Sequence, residues 1–319
     1  MSQPTKLFFL LTAVLSFACK SASEKRPDIS TPPTGFVIDS LPEYPFPYAV
    51  GQPDESFRLP VELKEISGIT LRKDEKSMLT VQDEDGIIYH INTEGKILNK
   101  YPFWKKGDYE DIVIVRDTVY VVKSTGTLYK VVNLGLPKQY VEKYNTVLSK
   151  ANDVEGLAYD ADNNSLLVAC KGNPYYKEGE ENPLEKRIYE FPLSTHQLDS
   201  TPRFDIRVSD IQRFLKSHIH LKNREKFNEY FSESESKIRI SPSAIAFHPI
   251  SGDLYLLSSG KKMIIVLDRS NHILHLERLD KKLHKQPEGI AFSKNGDMYI
   301  SNEGQESNAI VYKYSYQKR

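Results

Sequence analysis

Asp153-Val-Glu-Gly-Leu-Ala-Tyr159 decides the fold, because the chain repeats it. Gln286-Pro-Glu-Gly-Ile-Ala-Phe292 is nearly the same phrase. Glu65-Ile-Ser-Gly-Ile-Thr-Leu71, Asp108-Tyr-Glu-Asp-Ile-Val-Ile114 and Ser241-Pro-Ser-Ala-Ile-Ala-Phe247 are looser copies. The third residues of these phrases are Ser67, Glu110, Glu155, Ser243 and Glu288, spaced by 43, 45, 88 and 45 positions. A recurring step of this size matches the length of a four-stranded propeller blade. Each phrase runs into an apolar strand, then a polar turn such as Asp160-Ala-Asp-Asn-Asn164 or Ser293-Lys-Asn-Gly-Asp297, then a second strand. The second strands read MLTVQD, TVYVVKS, SLLVACK, DLYLLSS and DMYISNE, and third strands follow as IIYHIN, TLYKVV, RIYEFP, MIIVLD and AIVYKY. Short apolar or alternating runs bounded by turn residues are strands. A generic β-sandwich would not repeat its opening words.

The 88-residue step holds either a degenerate sixth blade or one blade with an insertion. Residues 209–237 place Ile211, Phe214, Leu215, His218 and Leu221 at helical spacing, followed by Phe227, Tyr230 and Phe231. That pattern is a helix signal, not a blade. The expected fold is therefore all-β, a five-bladed propeller over residues 55–319 with a helical insertion, six blades being the alternative. The last repeat ends after three strands. The segment from Ser56 to Leu63 is placed to supply the fourth and close the ring, which removes exposed edges.

The opening phrases EISGI and DVEGLAYD, with SPSAIAFHPISGDLYLLSS and QPEGIAFSKNGDMYISNEG after them, resemble the SdiA-regulated, YjiK-like family of bacterial envelope propellers, in order, from about Leu59 to the C-terminus. The resemblance implies a β-propeller at the cell envelope, with calcium binding and a phytase-like hydrolase activity.

The chain's 319 residues can bury a full core. Its 43 basic and 43 acidic side chains cancel, so it has no overall basic field to hold a nucleic-acid backbone. The start carries an address. Lys6 precedes an apolar run from Leu7 to Ala18, which has the length of a signal-peptide core and is short for a bilayer span. Residues 1–18 are expected to be a signal peptide. Leu15-Ser-Phe-Ala-Cys19 resembles a bacterial lipobox, with its aliphatic residue one position further from the cysteine than usual, so Cys19 is the expected lipidation site. Residues 19–54 hold seven of the 18 prolines and are expected to be a lipidated, flexible tether between a membrane and the propeller. With Cys19 acylated, Cys170 is the remaining thiol, and no intramolecular disulfide forms.

The residues just before each innermost strand crowd one mouth of a propeller channel. Ser67, Glu110, Glu155, Ser243 and Glu288 become a ring, and Glu65, Asp108, Asp153, Ser241 and Gln286 a second polar set. The ends of the second strands bring Asp83, Glu84, Lys123, Lys171, Asn302 and Glu303 to the same mouth. Converging carboxylates repel unless a cation joins them. A hard divalent ion with oxygen ligands suits such a ring, calcium before magnesium. The same carboxylates would also serve as hydrogen-bond acceptors that lock neighbouring blades. Lys123 and Lys171 either neutralise Glu110 and Glu155 or, with a cation, hold an anionic group such as phosphate. No nucleophile elbow, zinc-protease helix, P-loop or dinucleotide fingerprint is present. Two function classes stay open: an envelope binding module for another protein or a small anionic ligand, and a metal-assisted phosphate-ester hydrolase.

Overall fold

The computed structural model describes residues 43–177 and 179–318. The expected signal peptide, Cys19 and the tether up to residue 42 lie outside the described residues. Strand β1 (Glu55–Arg58) comes first, and four strands then build each of the first four blades. Blade 1 is β2 (Ile66–Leu71), β3 (Ser77–Gln82), β4 (Ile87–Asn92) and β5 (Ile97–Pro102). Blade 2 is β6 (Tyr109–Val115), β7 (Thr118–Lys123), β8 (Leu128–Val132) and β9 (Tyr140–Tyr144). Blade 3 is β10 (Val154–Asp160), β11 (Ser165–Cys170), β12 (Glu185–Pro192) and β13 (Pro202–Arg207). The insertion follows as α1 (Val208–Ser217) and α2 (Arg224–Tyr230), and blade 4 is β14 (Pro242–Phe247), β15 (Leu254–Ser258), β16 (Met263–Leu267) and β17 (Ile273–Arg278). Blade 5 is β18 (Pro287–Phe292), β19 (Met298–Asn302) and β20 (Ile310–Tyr314), completed by β1 from the other end of the chain.

Five four-stranded antiparallel sheets make the fold a five-bladed propeller, and the 88-residue step is one blade plus the helical insertion. β1 pairs antiparallel with β20, Phe57 opposite Val311, so the ring closes as the short last repeat requires. The innermost strands β2, β6, β10, β14 and β18 lie side by side in that cyclic order, with β18 returning to β2.

The core is divided in the same way. Each interface between neighbouring blades holds its own cluster, such as Leu79, Val81, Ile112 and Val121 between blades 1 and 2. Between blades 3 and 4, Ile188 and Phe204 meet Leu256 and Ile265. Full burial of side chains of this size stabilises by roughly 1.5–3 kcal/mol each. The insertion adds Ile211, Phe214, Leu215 and Phe227 to the cluster of blades 3 and 4, so its apolar face packs on the propeller.

One boundary needs correction. The tether was expected to run to residue 54, but Phe46, Tyr48 and Val50 are buried between blades 4 and 5. Phe46 stacks on His275 with ring centroids 4.7 Å apart, and Tyr44 donates a hydrogen bond to Asp253 at 2.8 Å. Residues 44–50 are thus a strap across the seam between blades 4 and 5.

Candidate functional site

The ring positions share a backbone device. In every blade the pairing of the innermost strand with its neighbour slips by one residue at the ring position. Tyr109 pairs with Lys123 and Asp111 with Val122, which leaves Glu110 as the extra residue. Glu155, Ser243 and Glu288 are skipped in the same way, and in blade 1 Ser67 and Gly68 share the slip. A β-bulge turns a side chain out of the sheet's alternation. Five bulges at one level aim five side chains at one axis.

They enclose a cavity of about 290 Å³. Glu65, Asp83, Asp108, Glu110, Asp153, Glu155, Glu288 and Glu303 line it, with Lys171, Ser67, Ser243 and Gln286. Lys123 is not among them, for its ammonium packs against Gly107 in the loop before β6. Lys123 therefore does not neutralise Glu110 within the cavity. Among the other residues expected near the mouth, Glu84, Ser241 and Asn302 do not line it, and Asn302 is buried against His284.

The electrostatics follow from crowding. Burial, then the charges of Glu155 and Asp108, push the Glu110 carboxyl up to about 10. Burial pushes Glu155 up to about 8 although Lys171 opposes it, and Glu288 rises to about 7, again mainly by burial. Asp83 rises to about 6 through burial and its acidic neighbours Glu65 and Glu84. Burial alone would lower Lys171, but Glu155, Glu288 and Asp153 together hold it above its ordinary value, and it pairs with Glu155. Burial and crowding thus favour the protonated forms of Glu110, Glu155 and Glu288.

Two polar groups in the cavity are left over. Ser67 is 7% exposed, and its hydroxyl finds no hydrogen-bond partner among the described residues, whereas Ser243 donates to the Pro287 carbonyl of blade 5 at 2.8 Å. Asp83 Oδ1 is also buried without a partner. Others are satisfied within the protein: Ser124 donates to Asp108, and Gln286 to Glu303. Sequence reading missed Asp111, which is wholly enclosed and accepts the amide of Leu157 at 2.7 Å and that of Ile112 at 2.8 Å. It is a blade clamp, adjacent in sequence to the ring but not part of the mouth.

The oxygen donors of the cavity are carboxylates and hydroxyls, the donor type that hard cations prefer, and they share the space with the Lys171 ammonium and without sulfur or imidazole. As the side chains lie, no group of three or more His, Cys, Asp or Glu among the described residues stands close enough to hold one ion. Cation entry would require rotamers to swing inward, which flexible Glu side chains on bulges permit.

Among solved structures, the glutaminyl cyclase of Myxococcus xanthus aligns with a TM-score of 0.52, at 9% identity over 83% of this chain and 96% of that one. The virginiamycin B lyase of Staphylococcus aureus aligns with a TM-score of 0.42, at 12% identity over 82% of this chain and 73% of that one. A gluconolactonase of Xanthomonas campestris gives 0.45, at 12% identity over 78% and 72%. At such identities the likeness is one of fold alone. The sequence itself is more specific, for the model of the SdiA-regulated family matches residues 58–308, from the end of β1 to the residues just before β20. The chain belongs to the SdiA-regulated family.

Proposed function

We propose that this protein is an envelope-anchored binding propeller whose channel mouth takes a divalent cation, calcium first. One observation carries the reading: five bulges direct a ring of side chains into a cavity with eight carboxylates and one ammonium. Glu110, Glu155 and Glu288 would be the principal ligands, with Asp83 and the free Ser67 hydroxyl as further oxygen donors. A bound cation supplies the positive charge that lets these carboxyls ionise. The test is a melting curve in calcium against one in chelator. Stabilisation that saturates with calcium supports the reading, and superimposable curves contradict it.

The address is part of the same proposal. A signal peptide over residues 1–18 and an acylated Cys19 would tether the propeller to a bacterial membrane. Metabolic labelling with a fatty acid analogue should mark the chain and fail to mark Cys19→Ser.

The second reading, a metal-assisted phosphate-ester hydrolase, is favoured by Lys171, an ammonium inside the cavity that could hold a phosphate beside the cation. Calcium-dependent release of phosphate from a phytate substrate, lost in Lys171→Met, would select it over the binding module.

A further inference from the structure

The two segments that the blade repeat does not require, the strap and the α1 helix, meet over strand β17 and enclose a cavity of about 520 Å³. It lies on the outer edge of blade 4 and is lined by none of the channel-mouth residues. Its walls include Phe46 and Tyr48 from the strap, Phe214 from α1 and Leu274 from β17. Phe46, Tyr48 and Phe214 are themselves almost wholly buried, so this is a walled recess and not a flat patch. A volume in this range, with aromatic side chains and a few convergent polar groups in its wall, fits a small-molecule site.

The polar groups limit what such a molecule can be. His275 Nε2 lies 3.1 Å from Glu277 Oε2, and both side chains face the cavity from β17 at 8% and 7% exposure. A carboxylate accepts only, so Nε2 carries a proton in this contact and donates it to Glu277. Glu277 Oε1 takes no part in that contact. The remaining charged groups, Glu43 and Lys222, are exposed and opposite in sign. His218 stacks on Phe214 and is engaged by the Phe214 carbonyl at 2.9 Å. The cavity thus offers the largely buried Glu277 carboxylate beside aromatic side chains, a combination that suits a cation with an apolar body.

We propose that this cavity binds a protonated organic amine, with its ammonium on Glu277 and its apolar, preferably aromatic, body between Phe46 and Phe214. The recess exists because two added segments close over one outer strand.

The experiment titrates 2-phenylethylamine into the full chain by ligand-observed NMR, with 3-phenylpropanoate as the matched anion. The expected result is saturable binding of the amine and none of the anion. Binding should weaken at least tenfold in Glu277→Gln and in the cavity-filling Leu274→Trp, both checked for unchanged melting. It should persist in the channel variant carrying Gln at positions 110, 155 and 288, which separates this site from the acidic mouth. No saturation in the wild type, equal binding of the anion, or loss confined to the channel variant would overturn the proposal. If Glu277→Gln does not fold, Leu274→Trp carries the same decision.

Discussion

Asp111 fills the space that Gly68 leaves empty: a β-carbon on Gly68 would lie 2.0 Å from Asp111 Oδ1. The position after the ring residue is small in the other four blades, Gly68, Gly156, Ala244 and Gly289, and aspartate only in blade 2. From there Asp111 reaches the Leu157 amide of blade 3, so one side chain joins blades 1, 2 and 3 around the channel. Gly68→Ala should cost about 1–3 kcal/mol through overpacking against a group that cannot move away. Asp111→Ala leaves the buried Leu157 amide unpaired and should also cost about 1–3 kcal/mol. Urea denaturation of both variants checks these values, and wild-type stability in either would contradict the clamp.

Ser67 and Ser243 occupy equivalent positions but do different work. Ser243→Ala removes the hydroxyl that the Pro287 carbonyl accepts and should destabilise by about 1 kcal/mol. Ser67→Ala breaks no bond in the protein and should leave stability within about 0.5 kcal/mol. It should weaken calcium binding, whereas Ser243→Ala should not. Paired melting and calcium titrations separate the roles.

Lys171 is the ammonium that shares the cavity with the carboxylates, so an incoming cation must compete with it. Lys171→Met should therefore tighten calcium binding, on the order of tenfold at low salt, with the gain shrinking as salt rises. Weaker binding in this variant would mean that the ammonium organises the site.

The sign of the pH dependence follows from the raised carboxyls. Glu288, Glu155 and Glu110 have folded values of about 7, 8 and 10, above the ordinary carboxylate range. Such groups stabilise the fold fully below their unfolded value, and that contribution is lost as pH rises through the folded values. In chelator the melting temperature should fall from mildly acidic pH through pH 7 and 8 and on toward pH 10. Calcium should remove most of the fall, and its affinity should rise with pH because protons leave as it binds. A chelator profile flat above pH 6 would contradict these assignments.

The blade count, the closure by β1 and the insertion were legible because each leaves a period or a break of period in the sequence. Most of the mouth was legible for the same reason: a residue repeated at each bulge becomes a ring. Asp111 was not, because in Asp108-Tyr-Glu-Asp111 one carboxylate faces the channel and the next faces the seam between blades, and only the bulge decides which. Lys123 was misplaced because the strand end fixes its backbone near the mouth while its long side chain turns toward Gly107. The strap was read as tether on its prolines. Its signal was the alternation Tyr44, Phe46, Tyr48 between them, an extended segment with one apolar face.

The most direct test is a calorimetric titration of calcium into chelator-stripped protein, repeated on the variant with Gln at positions 110, 155 and 288. The account predicts saturable binding by the wild type, with a Kd of about 10⁻⁵–10⁻³ M for a flexible oxygen site. It predicts none by a variant that still melts cooperatively. A folded wild type that takes up no calcium, or a variant that binds it equally well, would contradict the claim that the bulged ring is a cation site.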